Sequence, residues 1–245
     1  MDEYAADTYG ERFAASYDEI FADFTPRPAQ IELLRRLAGP HTAVELGVGT
    51  GRVAIPLARS GVPVVGVDTS AAMLDQLARK AAGLPVQPVL GDATAPELAP
   101  ELKAGVAYTV FNTFFMLPGR AAQATCLKNV RALLQPGGAF VVEVFVPRPE
   151  LIAPVRIKSF TATEVVLQVS QHVAEEQRMD SQDVVLRHGA PVRLMPTQVH
   201  YLTPHQLDLL AEESGLALES RHADWDGAEF TPDSAKHVSV YRRLP

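Results

Sequence analysis

The segment Val44-Glu45-Leu46-Gly47-Val48-Gly49-Thr50-Gly51-Arg52 holds the residue types best suited to binding a charged ligand. Three glycines follow an apolar run and lead into a helical pattern. Glycine tolerates positive φ and lets a ligand approach the backbone, while a helix start offers unpaired amides to an anion. The spacing is G-x-G-x-G, whereas a dinucleotide loop is spaced G-x-G-x-x-G, which disfavours a nicotinamide-dependent reductase. Glu45 sits inside the apolar run, where an unpaired carboxylate is costly. Its charge is a poor neighbour for a pyrophosphate and a good one for an amino group beside a sulfonium.

Two more carboxylates end the next strands. Asp68, in Val67-Asp68-Thr69-Ser70, stands where an acidic side chain accepts both hydroxyls of a ribose. Met73, one helical turn later, is placed to cover an adenine face. Asp92, in Gly91-Asp92-Ala93, faces where an exocyclic adenine amine would donate. Helix capping is the competing role for either aspartate. Glu45, Gly47, Gly49, Gly51, Asp68, Thr69, Met73, Asp92, Ala93 and Phe111 are the candidate cofactor contacts.

On the acceptor side, Tyr17 is the first candidate for a catalytic and substrate contact, with membership of an aromatic stripe as its competing reading. His200 is the second catalytic candidate, and His172 and Tyr201 are candidate substrate contacts at the ends of strand-like segments. Solvated histidines on lid strands are the commoner case. Phe115 and Phe145 are placed to form an apolar wall, and Arg148 to meet an acidic substrate. Glu143 is either structural or faces the cavity.

The elements that must position these groups follow from periodicity. Tyr9, Phe13, Tyr17 and Phe21 recur at four-residue steps within a helical 1–38, broken at Thr25-Pro26-Arg27-Pro28. Strands are predicted at 43–46, 63–67, 85–90, 106–111 and 139–145, with helices at 52–60, 70–82 and 120–134 between them. Unalternated apolar strands separated by helices indicate a parallel sheet covered on both faces. Strand-like segments at 155–160, 164–172, 178–188 and 192–201 have no helices between them and read as an antiparallel insertion. Thr203-Pro204-His205-Gln206 is a capping box with proline at the first helical position. That helix closes at Gly215, and strands at 216–223 and 237–242 follow.

Composition sets the outer limits. The chain has 245 residues, 47% hydrophobic and 21% charged, with 22 basic against 29 acidic side chains and a formal charge of −7. Its acidic balance argues against a nucleic-acid partner, since backbone binding needs a basic surface. A single cysteine, Cys126, excludes an internal disulfide framework. Met1-Asp2-Glu3 has neither a basic nor an apolar leader pattern, and no apolar run approaches a membrane span. A cytoplasmic protein without a membrane partner is the expectation.

Residues 42–146 resemble a class I S-adenosylmethionine-dependent methyltransferase. The matching stretches are the glycine loop 45–51, Asp68, Gly91-Asp92-Ala93 and Leu134-Gln135-Pro136-Gly137-Gly138 before strand five. Phe13-x-x-x-Tyr17-Asp18 and the β insertion before Leu202-Thr203-Pro204 resemble small-molecule members such as amino-sugar N-methyltransferases. The family's frequent acidic residue at the start of strand four is absent, the stretch there being Lys103-Ala104-Gly105. Phe111-Asn112-Thr113-Phe114 also lacks the prolines of nucleobase and glutamine methyltransferases.

The resemblance implies an α/β fold: a seven-stranded Rossmann-like sheet of order 3-2-1-4-5-7-6, with a helical N-terminal lid and an antiparallel β insertion. It divides the chain into a lid (1–40), a core (41–150 and 202–245) and an insertion over the substrate site (151–201). It implies S-adenosylmethionine as cofactor, with S-adenosylhomocysteine as product. The implied reaction is transfer to N, O or C of a small molecule in specialised metabolism. No metal is implied, because only Glu143 lies where catechol-type enzymes cluster their acidic ligands. The rival reading is a protein that binds the cofactor without methyl transfer, as a cyclisation catalyst or regulatory module. Dimerisation through the edge strands of the insertion is a competing use of that segment.

Overall fold

The computed structural model describes residues 5, 7–148, 150 and 152–244. Met1, Asp2 and Glu3, which carry the expectation about a leader, lie outside the described residues, as does the first residue of the predicted insertion. The chain opens with a helical stretch made of α1 (Thr8–Phe13), a 3-10 turn (Ala14–Ser16) and α2 (Tyr17–Ile20), followed by α3 (Pro28–Ala38). The alternating core is β1 (Thr42–Leu46), α4 (Ala54–Arg59), β2 (Val64–Asp68), α5 (Ala71–Lys80), β3 (Val86–Leu90), β4 (Ala104–Thr109), α6 (Gly119–Leu133) and β5 (Leu134–Phe145). Four antiparallel strands come next: β6 (Val155–Phe160), β7 (Glu164–Val173), β8 (Arg178–Arg187) and β9 (Arg193–His200). The chain ends with α7 (Pro204–Glu213), β10 (Leu216–His222) and β11 (Lys236–Arg243).

The main sheet has the order β10-β11-β5-β4-β1-β2-β3, parallel from β5 to β3 and antiparallel at β11. With the insertion strands set aside, this is the expected 3-2-1-4-5-7-6. Alternate residues of each central strand serve opposite cores. Val44, Val65, Ala107 and Val142 pack against Leu127 and Val130 of α6 and Leu207 and Leu210 of α7. Ala43, Val64, Val106 and Val141 pack against Leu34 of α3, Leu57 of α4 and Leu77 of α5. Burial on both faces is why these strands lack alternation.

Some boundaries differ from the expectation for physical reasons. β3 is an edge strand and largely exposed, with Leu90 60% accessible; Pro88 fits there because an edge leaves one row of N–H groups unused. β4 stops at Thr109 because Phe111 and Asn112 turn into left-handed backbone, with φ of 56° and 68°. Residues 134–138 are an irregular start to β5, with Gly137 at φ +73°, where the sequence suggested only a turn before it. Ser70 caps α5, its Oγ accepting from the Met73 amide at 3.2 Å, and Thr203 and Gln206 form the expected capping box at α7. No described helix is long and apolar enough to cross a membrane.

The insertion forms a separate sheet of order β6-β7-β8-β9. Val185 and Met195 on its inner face pack with Phe13, Ala14 and Met73. The N-terminal helical stretch is therefore held between the insertion and α5, above the glycine loop.

Candidate active site

The carboxyl ends of β1, β2 and β4, the loop after β3 and the N-terminal helices enclose a cleft of about 1010 Å³. Its floor is Glu45, only 2% exposed. The parallel register sets Glu45 beside Tyr108 of β4, whose hydroxyl donates to Oε2 at 3.0 Å. Burial pushes the Glu45 carboxyl up to about 8, against the opposing pull of the Tyr108 hydrogen bond and the Arg52 charge. A carboxyl held this high by desolvation gains strongly from a cationic ligand group.

The three glycines have different duties. Gly47, at φ +75°, packs so closely on Thr113 that a Cβ would run into that side chain. Gly49, at φ +54°, lines the cleft with open space where a Cβ would stand, and its amide donates to Asp68 Oδ2 at 2.7 Å. Gly51 does not line the cleft. At φ +86° it is buried, and a Cβ there would collide with Leu77 and Ile55, so it sets the packing of α4 on α5.

Asp68 is not the cap of α5. Its Oδ1 accepts from the Ser70 amide at 3.0 Å, and its two oxygens tie the glycine loop to the end of β2. Burial raises its pKa while the amides of Ser70, Gly49 and Thr69 oppose the shift. Asp92 precedes no helix; its Oδ1 accepts from the amide and hydroxyl of Thr94 at 2.6 and 2.7 Å. Asp68, Asp92, Thr69, Ala93, Met73 and Phe111 all line the cleft with Glu45, Gly47 and Gly49.

Phe111 holds its left-handed conformation through β5. Its amide donates to Glu143 Oε2 at 3.2 Å, and Asn112 Oδ1 accepts from the Phe145 amide at 2.8 Å. Such backbone costs about 1–3 kcal/mol per residue and persists only where its surroundings enforce it. Glu143 also pairs with Lys236 at 2.8 Å, which gives it a structural role. The Arg52 guanidinium lies 4.4 Å from the centre of the Phe111 ring.

The N-terminal stretch closes the cleft with Tyr9, Gly10 and Tyr17. It is latched by polar contacts: Thr50 Oγ1 donates to Asp18 at 2.6 Å, Lys80 pairs with Asp18 at 2.8 Å, and Ser70 Oγ donates to Glu11 at 2.7 Å. Gly10 permits this approach, since a Cβ there would collide with the Ser70 side chain. Tyr17 satisfies both of its readings, lining the cleft while its ring lies 4.7 Å from that of Phe21. Burial raises its pKa, so the phenol is protonated at neutral pH.

A second cavity, of about 690 Å³, lies between the end of β5 and the inner face of the insertion. Phe145, Arg148 and Tyr201 line it with Arg156, Gln168 and Ser170. His172 lines neither cavity, and its Nε2 lies 2.7 Å from the Tyr201 hydroxyl. Phe115 is not a wall residue: it is fully buried behind Phe145, ring centres 5.1 Å apart. His200 also lies outside both linings, half-buried beside Leu117, with burial lowering its pKa. The described residues of the insertion supply none of the lining of the first cleft.

Sequence reasoning missed Tyr9, Gly10, Arg52, Tyr108 and Thr113. Tyr9 was visible in the aromatic stripe, and a tyrosine inside the apolar fourth strand signalled a buried polar partner. Nothing local marks Gly10 or Thr113. Among the described residues, no group of three His, Cys, Asp or Glu side chains is arranged to hold a metal ion.

Comparison with known proteins agrees with this geometry. Residues 43–138 match a family model described as a methyltransferase domain. The chain is 40% identical to the CcbJ methyltransferase of Streptomyces caelestis, covering 99% of this chain and 100% of that one, with a TM-score of 0.92. It is 26% identical over 242 residues to the cypemycin N-terminal methyltransferase of a Streptomyces species, covering 96% of this chain and 97% of that protein. The amino pentose methyltransferase CalS10 of Micromonospora echinaspora shares the fold, at 18% identity and a TM-score of 0.69, over 93% of this chain and 96% of that one. Identity of this extent along a whole chain, joined to a buried carboxylate, a glycine loop and two further aspartates around one cleft, assigns the protein to the Rossmann-like S-adenosylmethionine-dependent methyltransferases.

Proposed function

We propose that the protein methylates an amine nitrogen of a small molecule in specialised metabolism, with the first cleft holding S-adenosylmethionine. The observation that carries this reading is the acid–base inventory of that cleft. Apart from the carboxylates Glu45, Asp68 and Asp92, its titratable side chains among the described residues are Tyr9, Tyr17 and Arg52. A tyrosine whose pKa is raised cannot act as the strong base that an alcohol requires, whereas an amine sheds its proton to water before reacting. Relatives named for amines support the same choice, the cypemycin N-terminal and amino pentose methyltransferases among them.

The residues fit the cofactor by the chemistry of their donors and acceptors. Glu45 is suited to the ammonium group, Asp68 to the ribose hydroxyls and Asp92 to the adenine amine, with Met73 and Phe111 as apolar contacts. When bound, the cofactor supplies a methyl group already activated by a sulfonium. The chain's own contribution is alignment and exclusion of water, which can contribute roughly 7–11 kcal/mol. Tyr17 orients the acceptor amine by hydrogen bonding, and the latched N-terminal lid, within residues 1–40, keeps solvent out. The remainder of the acceptor occupies the second cavity against Phe145, Arg148 and Tyr201. The Asn112–Phe145 hydrogen bond supports this placement, because it joins that wall to the turn carrying Phe111 and Thr113.

Incubation with methyl-labelled S-adenosylmethionine and panels of small primary and secondary amines, phenols and alcohols tests the proposal. Label in an amine product is expected. Label confined to oxygen or carbon acceptors would overturn the choice of atom, and cofactor binding with no labelled product would establish the non-transferring alternative.

A further inference from the structure

The two cavities are opposite in charge. The first carries Glu45, Asp68 and Asp92 against the guanidinium of Arg52. The second is lined by two guanidiniums, Arg148 and Arg156, and by no carboxylate among the described residues. In a chain with a formal charge of −7 this is a local reversal of sign. The acids of the surrounding elements are used elsewhere. Asp183, opposite Gln168 in register, lies outside the lining; it pairs with Lys158 at 2.6 Å and accepts from Gln168 at 3.1 Å. Glu143, two residues before Phe145 on β5, pairs with Lys236. Arg148 donates to the Pro232 carbonyl at 3.4 Å, and neither arginine has an ion-pair partner among the described residues.

We propose that the second cavity selects acceptors carrying an anionic oxygen group, a carboxylate or a phosphate, at the end remote from the methylated amine. This deepens the amine methyltransferase reading and rests on it: the amine is presented to the first cleft while the acid meets the two arginines. Two like charges facing one cavity repel each other, and an anion between them turns that repulsion into attraction. A guanidinium fork matches a carboxylate or phosphate with two parallel hydrogen bonds, and a concave wall focuses the field of the pair. Arg148 is half-buried and Arg156 exposed, so an anion reaches both without the full cost of desolvation. Gln168 and Ser170 add neutral polar groups to the same wall, and Phe145 and Met179 supply apolar surface for a carbon skeleton. The cavity thus discriminates by charge at one end and by hydrocarbon contact along its length.

The probes are amino acids of graded chain length, their matched carboxamides and the corresponding aminoalkyl phosphates. Each is titrated by calorimetry into the full chain saturated with S-adenosylhomocysteine, and each is incubated with methyl-labelled S-adenosylmethionine. The anionic member of a matched set should bind about ten-fold tighter than the carboxamide and show the lower KM. Carboxylate against phosphate then identifies the acid. Arg148→Gln/Arg156→Gln should abolish the preference while keeping circular dichroism and S-adenosylhomocysteine affinity. Arg156→Gln alone, at the more exposed position, is the milder second variant and should lose part of the preference. Equal binding of acids and carboxamides, binding of neither, or a folded double variant that retains the preference would overturn the proposal. Label transferred to neutral amines in preference to acids would overturn it and leave amine methylation standing. Selective binding of the acids with no labelled product would support the anion site and overturn amine methylation instead.

Discussion

Because burial pushes Glu45 up to about 8, most unliganded molecules carry a proton there at pH 7. Seating an ammonium group against Glu45 must expel that proton. The unliganded protein then binds more protons than the complex, so affinity rises with pH. If the ligand returns the carboxyl to the ordinary range near 4.3, about 0.9 proton leaves per ligand at pH 7. Between pH 6 and pH 8 the affinity should rise about fifty-fold, or about 2.3 kcal/mol, and flatten above the pKa of the unliganded carboxyl. S-adenosylhomocysteine is the probe, since it keeps the ammonium group and cannot react. Titration calorimetry in buffers of different ionisation enthalpy counts the protons, and a pH series measures the slope. Glu45→Gln keeps an acceptor for the Tyr108 hydroxyl and removes the titration, so its proton count should be near zero and its affinity flat across this range. A flat wild-type profile, or equal proton release in wild type and variant, would refute the pairing of Glu45 with the ammonium group.

The same carboxyl affects stability in the reverse direction. Its folded-state pKa lies above its unfolded value, so stability of the unliganded protein falls as pH rises from the ordinary carboxylate range toward about 8; Glu45→Gln should raise the Tm at pH 8 and change it little at pH 5. Asp68→Ala should weaken S-adenosylhomocysteine binding by about 1–3 kcal/mol. An equal loss for an analogue lacking the ribose hydroxyls would reduce Asp68 to an anchor of the glycine loop. Tyr17→Phe should lower turnover of an amine acceptor and leave S-adenosylhomocysteine affinity nearly intact, and full activity would remove Tyr17 from the reaction. Gly51→Ala should cost about 1–3 kcal/mol in thermal or urea unfolding, from its positive φ and the contacts with Leu77 and Ile55. A stability equal to wild type would contradict the packing role.

The strands of the central sheet and the glycine loop with its carboxylates were legible because each is written in contiguous residues, whereas the strand order came from the family resemblance. An apolar run of five, a glycine turn and the capping box at Thr203 signal their structure within one short window. The aromatic stripe Tyr9–Phe13–Tyr17–Phe21 was legible for the same reason, since a helix repeats its face every few residues. Other features rest on contacts between distant segments. The pairing of Glu45 with Tyr108 depends on the β1–β4 register, and the Thr50–Asp18 and Ser70–Glu11 latches on where the first helices land. The choice between Phe145 as a cavity wall and Phe115 as core depends on the left-handed turn at Phe111 and Asn112, which ends β4 two residues early. In the insertion, alternation showed strands but could not say which face turns inward, because period-two patterning is symmetric until another element covers one side. Sequence thus determined which elements form and where the cofactor's chemistry would lie. Tertiary structure decided which side chains share a wall, because burial and register are set by partners far away along the chain.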